Sequence, residues 1–164
     1  MDTQYIVYVD GSKTPNTPDG IACWGFLVNS HSGERTYAHY GSLGKGISSN
    51  VSEYYAIFQA LKFCADFPEF QYTIRSDSKN TIDQLNGLNE CRADSLIPYY
   101  QACLRLLSLF HSKRQPTLEW IPRERNIQAD SLTRKAHDYA VKSKNVESLA
   151  LEAWYVRPWK LCPE

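Results

Sequence analysis

Tyr5-Ile6-Val7-Tyr8-Val9-Asp10-Gly11-Ser12 is the stretch on which the fold turns. Five β-favouring residues run straight into an aspartate and a glycine. The run is apolar on both faces, which is the mark of a central strand covered on both sides. Asp10 is then expected at the end of that strand, close to the core. A carboxylate is seldom buried without a partner or a metal ion. The rest of the chain has three acids that fit such a role: Glu53, Asp77 and Asp130.

Working outward, Gly11 to Gly20 is rich in turn residues, with Pro15, Asn16, Pro18 and Asp19-Gly20. Ile21–Val28 and Arg35–Leu43 read as two further strands, forming a meander with the first. Asn50-x-x-Glu53 has the form of a capping box at a helix start. Tyr54, Ile57, Leu61 and Cys64 follow at helical spacing, and Pro68 ends that helix. Tyr72–Ser76 is a short strand running into Asp77-Ser78 and a second helix that stops near Gly87. Leu96–His111 is helical, Leu118–Ile121 is the last strand, and Ile127–Val141 is a helix expected to bury Ala129, Leu132, Ala136 and Tyr139. The order β-β-β-α-β-α-α-β-α predicts an α/β fold with a mixed five-stranded sheet, its first three strands antiparallel and the later ones added in parallel, flanked by helices.

Composition bounds the class. The 164 residues are 43% apolar and 22% charged, with 18 basic and 18 acidic residues, which describes one soluble globular domain. No apolar run approaches the roughly 20 residues of a membrane span, and the early first strand leaves no room for a targeting peptide. Cys23, Cys64, Cys91, Cys103 and Cys162 are odd in number, scattered and without a Cys-x-x-Cys pair. That favours a reducing compartment over a disulfide framework or a zinc site, so a cytoplasmic location is expected. Net charge is zero, yet His111–Lys144 holds eight basic residues against four acids, a net +4.

Each acid has an ordinary structural reading. Asp10 fits a turn, Glu53 a capping box, Asp77 a helix cap, and Asp130 a first helical turn where acids favour the dipole. Their positions in the architecture weigh the other way. Asp10 and Asp77 end strands that can be parallel neighbours, while Glu53 and Asp130 open helices. In an α/β sheet these places share one rim. Four carboxylates there repel one another unless cations lie between them, and oxygen ligands suit Mg²⁺ or Mn²⁺. Two such ions about 3.5–4 Å apart serve in-line displacement at phosphorus.

Four local matches resemble the type 1 ribonucleases H: Val9-Asp10-Gly11-Ser12, Asn50-x-x-Glu53-x-x-Ala56, Ser76-Asp77-Ser78, and Trp120-x-Pro122-Arg123-x-x-Asn126-x-x-Ala129-Asp130-x-Leu132. The resemblance covers residues 4–140. It implies a ribonuclease H-like fold over residues 1–142, followed by a C-terminal tail over residues 143–164. It implies an endonuclease that cleaves the RNA strand of RNA/DNA hybrids by two-metal-ion catalysis, leaving 5′-phosphate and 3′-hydroxyl ends. Asp10, Glu53, Asp77 and Asp130 become catalytic and metal-binding residues for two Mg²⁺ ions, with Mn²⁺ a substitute. Gly11, Ser12, Asn50, Ser78, Arg123 and Asn126 become substrate-binding residues of a monomeric enzyme that needs no membrane. Glu53 is also implied to accept from a ribose 2′-hydroxyl, the group that separates RNA from DNA.

The chain departs from the better-known bacterial members in three places. The loop Pro122–Asn126 lacks their histidine, leaving Glu124 or Arg123 to assist proton transfer or product release. Asn89–Ser95 replaces a basic protrusion, and Ser49 replaces the first of two asparagines. The lack of the loop histidine and of the basic protrusion resembles the plant-like and archaeal branch. Two other readings stay open on sequence alone: a non-catalytic hybrid-binding module, and a phosphoryl-transfer nuclease of the integrase or resolvase type.

Overall fold

The computed structural model describes residues 3–143. The expected tail, residues 143–164, lies outside them but for Ser143. The elements are β1 (Gln4–Thr14), β2 (Ile21–Ser30), β3 (Arg35–Lys45), α1 (Ser49–Asp66), β4 (Gln71–Ser76), α2 (Lys79–Leu85), α3 (Ile97–Ser108), β5 (Thr117–Trp120), a short 3₁₀ turn (Arg123–Arg125) and α4 (Ile127–Ser143). They form one five-stranded sheet in the order β3-β2-β1-β4-β5. β1, β2 and β3 pair antiparallel, while β4 and β5 add in parallel. Helix α1 packs on β1 and β2 and carries α3 on its outer side, and α4 covers β1, β2 and β3. No helix among the described residues is long and apolar enough to cross a membrane.

The physical reason for this layering is legible in burial. Val7 and Val9 are fully buried in the central strand, where they meet Tyr54, Ile57, Phe58 and Leu61 of α1. Helix α1 buries both apolar and polar side chains, including Ser52, Gln59 and Lys62, because it is covered by the sheet on one side and α3 on another. On the opposite face α4 lies close to β2. A Cβ at Gly25 would stand 2.8 Å from the Leu132 Cβ, so the helix approaches only because that position is glycine.

Four expectations are corrected. Strand β1 does not end at Asp10 but continues to Thr14, because Gly11–Thr14 pair with Ile21–Trp24 of β2. The polar sequence read as a turn is a strand held by its neighbour, and the turn begins at Pro15. Helix α1 starts two residues earlier than the capping-box reading had it: Ser48 is the N-cap, its hydroxyl accepting from the Val51 amide at 3.1 Å. Glu53 therefore lies in the second turn. Asp77 does not cap α2, whose N-cap position is Ser78. Tyr139 is 73% exposed, and Ala140 takes the buried place on α4 after Ala136.

Candidate active site

The parallel ladder between β1 and β4 ends at the pair Val9 and Ser76. The next residue on each chain is an acid. Asp10 and Asp77 are thus delivered side by side, one on a strand that β2 keeps extended, the other at the turn into α2. The Asn126 amide Nδ2 donates to the Val9 carbonyl at 2.8 Å and secures β1 at this divergence. The Ile121 amide donates to the Ser76 carbonyl at 2.9 Å, and the Trp120 indole donates to the Asp77 carbonyl at 3.2 Å. The ends of both strands are therefore tied to the segment that leads into α4.

Glu53 reaches the same point from α1. Its Oε2 accepts from the Gly11 amide at 3.1 Å. A Cβ on Gly11 would stand 2.3 Å from the Glu53 nitrogen and from the Ser52 carbonyl carbon, so only glycine lets the helix backbone come this near the strand. Carboxylate oxygens of Asp10, Glu53 and Asp77 lie within 4.8 Å of one another.

Three carboxylates this close cannot all stay ionised cheaply. Burial, then repulsion from Asp77 and Asp130, pushes Asp10 up to about 8, against the opposing pull of Arg123 and the Gly11 amide. Burial, then Asp10 and Asp77, raises Glu53 well above the usual glutamate range. Asp77 is raised too, chiefly by burial, with Arg123 opposing. An oxygen-only donor set that resists its own full ionisation suits a small, hard divalent cation.

The fourth acid stands apart. Asp130, in the first turn of α4, is not within the three-acid set. It lines the same cleft, of about 710 Å³, and its field reaches Asp10. Its Oδ2 is held by Arg134 Nη2 at 2.9 Å.

The structure distributes the other expected site residues unevenly. Gly11, Ser12 and Arg123 line the cleft, and the Gly11 amide is committed to Glu53. Asn50 is exposed on the first turn of α1, beside the cleft-lining Ser49. Ser78 turns to Thr81, their hydroxyls 2.8 Å apart. Asn126 is 1% exposed; its amide holds the Val9 carbonyl of β1, and its side chain also meets Asp77. Glu124 is exposed on the 3₁₀ turn and is not among the lining residues, whereas its neighbour Arg123 is. Sequence reasoning missed Lys13, Asn16 and Arg134, which also line the cleft. Lys13 and Asn16 were hidden by reading β1 four residues too short. Arg134 had a signal: Asp130-x-x-x-Arg134 is the i,i+4 spacing of a helical ion pair.

Comparison with known proteins now identifies the family. The family model described as reverse transcriptase-like matches residues 9–136. This chain belongs to that family. Its fold is the type 1 ribonuclease H fold. The N-terminal RNase H domain of Rv2228c from Mycobacterium tuberculosis, solved fused to maltose-binding protein, is similar at TM-score 0.75 and 25% identity, over 87% of this chain and 99% of that one. RNase H1 of the halophilic archaeon Halobacterium salinarum matches at TM-score 0.74 and 28% identity, over 84% and 99%. LC11-RNase H1, solved in complex with an RNA/DNA hybrid, shares the fold at TM-score 0.74 and 24% identity, over 84% and 99%. The bifunctional protein Rv2228c of M. tuberculosis is 27% identical over 138 residues. That alignment takes in 84% of this chain but only 36% of the relative's length, so this ribonuclease H-type chain spans about a third of it.

Proposed function

We propose that this chain is an endoribonuclease that hydrolyses the RNA strand of RNA/DNA hybrids and leaves 5′-phosphate and 3′-hydroxyl ends. Mg²⁺ is its cation, two ions act together, and Mn²⁺ can replace Mg²⁺. The observation that carries this reading is the set of three carboxylates within 4.8 Å of one another where β1 and β4 part, in a chain of ribonuclease H fold. Asp10, Glu53 and Asp77 would hold one cation. Asp10, which feels both Asp77 and Asp130, would share a second with Asp130. The cations, when bound, supply charge neutralisation at the scissile phosphodiester and make water a nucleophile at neutral pH.

The chain's own residues do the rest. The Gly11 amide fixes the Glu53 carboxylate, and Asn126 fixes the strand carrying Asp10. Glu53 faces the ribose and accepts from its 2′-hydroxyl, which selects RNA. Asn50, exposed at the start of α1, offers its amide to the minor groove. Arg123 and Lys13 line the cleft and meet phosphate oxygens. A cytoplasmic, monomeric enzyme belongs to the same proposal, and the free thiols of Cys23, Cys64, Cys91 and Cys103 suit a reducing compartment.

The test is cleavage of end-labelled RNA/DNA hybrid with Mg²⁺, Mn²⁺ or EDTA, beside double-stranded RNA and double-stranded DNA. Metal-dependent cutting of only the RNA strand of the hybrid is expected. Binding without cutting by folded protein, with either metal, would turn the reading into that of a hybrid-binding module.

A further inference from the structure

The four acids are not equivalent, and two arginines divide them. Arg123 acts on Asp10, Glu53 and Asp77, lowering the cost of ionising each. Arg134 takes the remaining acid, its Nη2 at 2.9 Å from Asp130 Oδ2. Both partners of this pair line the cleft. Asp130 is 24% exposed at its side chain and Arg134 is 75% exposed, so the pair is open to water. Exposed i,i+4 pairs on helices shift an equilibrium by about twofold, and this one can open without disturbing the fold.

We propose that Arg134 is a built-in competitor for the second divalent cation: it holds Asp130 apart from the three-acid cluster, so Asp130 joins the metal site only when that ion pair opens. The inference rests on the reading that these acids hold divalent cations. The first cation finds three carboxylates already gathered. The second must draw Asp130 from a guanidinium and must itself sit near that positive charge. The two sites then differ in affinity although both are built from carboxylates. Once released, Arg134 stays on the cleft wall with Lys13, where a phosphodiester can take the place of Asp130. Loading of the second site is in this way favoured by an anionic substrate.

The experiment is a titration of the metal-free full chain with Mn²⁺, reading free ion by electron paramagnetic resonance, without substrate. Wild type is expected to bind one ion more tightly and a second more weakly. Arg134→Gln should tighten the weaker class by roughly threefold to tenfold and leave the tighter class unchanged, as loss of one nearby positive charge requires. Arg134→Lys should restore wild-type behaviour, and Asp130→Asn should remove the weaker class. Equal weak-class affinities in wild type and Arg134→Gln, or a weak class that survives Asp130→Asn, would overturn the inference and leave the metal site intact. Failure of wild type to bind any Mn²⁺ would overturn it together with the proposed function.

Discussion

Helix α1 joins two regions of opposite character. Near its start Glu53 meets Asp10 and Asp77; Asp77 raises the proton affinity of Asp10, and both raise that of Glu53. Ten residues on, about 15 Å along the axis, Phe63 stacks on Tyr37 of β3 with centroids 4.6 Å apart, and Phe67 lies 5.1 Å from Phe63. Tyr5 meets Phe70 edge-on at 5.2 Å at the same end of the sheet. The aromatic end has geometry that stabilises each ring against the next. The acidic end does the reverse until a cation arrives. One rigid helix spans both, so packing at one end can hold in place a carboxylate that repulsion at the other would drive out. Stability and chemistry are separable in this molecule, and substitutions at the two ends should break different things.

The largest effect is expected from Asp10→Asn. It removes the acid that both Asp77 and Asp130 act on. Hybrid cleavage should fall by at least about 10³-fold, as for loss of a residue central to transition-state stabilisation. The metal-free protein should at the same time become more stable at pH 8, on the order of 1–3 kcal/mol, because one raised and buried carboxyl is gone. Urea unfolding beside the cleavage assay checks both. A variant that cuts at the normal rate would remove Asp10 from the mechanism.

Gly11→Ala should come next. Its Cβ would meet helix backbone at 2.3 Å, and backbone cannot swing aside as a side-chain tip can. A loss of about 3 kcal/mol or more is expected, with cleavage falling because Glu53 moves. Phe63→Ala is the complementary break. It should cost about 2–3 kcal/mol by opening space among Tyr37, Phe67 and Phe26. Hybrid cleavage below the unfolding temperature should stay near wild type. If Phe63→Ala abolishes Mn²⁺ binding while remaining folded, the two ends are coupled and the comparison fails.

The pH dependence of the metal-free protein sharpens the same contrast. Asp10 rises from 3.8 to about 8 on folding, and Glu53 and Asp77 move the same way. Their unfolded forms ionise near pH 4. The folded state therefore binds more protons than the unfolded state between about pH 4 and pH 8, and stability falls as pH rises through that window. His39 moves oppositely: burial, then Lys62, holds it below 6.5, so its contribution is lost as pH falls below about 6.5. Added Mg²⁺ should restore stability most at pH 8 and least at pH 6. Denaturation at pH 6, 7 and 8 with and without Mg²⁺ measures this. A Mg²⁺ effect that shrinks toward pH 8 would contradict mutual repulsion as the state of the empty acids.

Much of this was legible in the sequence because local and global signals agreed. The order of elements followed from periodicity, and Val9-Asp10 with Ser76-Asp77 placed two acids at the parting of parallel strands. The misses have particular causes. Gly11–Lys13 lack β-formers and are held extended only by β2, a tertiary effect invisible to propensity. Ser48, Ser49 and Asn50 are three cap-competent residues in a row, and Ser48 caps while Glu53 accepts from Gly11 instead of closing a box. Tyr139 and Ala140 both fit a helical period, and the smaller side chain took the buried place. Asn126 stands in a motif that reads as substrate contact, and the tie it makes to the Val9 carbonyl and to Asp77 has no local sequence signal.

The smallest effect concerns the loop without histidine. Arg123 and Glu124 are adjacent and both exposed, but only Arg123 lines the cleft, and its charge acts on all three clustered acids. Glu124→Ala should leave cleavage within about twofold of wild type, as surface substitutions without partners do. Arg123→Ala should weaken the hybrid interaction and raise the proton affinity of the clustered acids, so its loss of rate should be larger at pH 6.5 than at pH 8.5. If Glu124→Ala instead slows product release while Arg123→Ala does not, the glutamate reaches the cleft during turnover, and the role the histidine plays elsewhere has moved one residue along the loop.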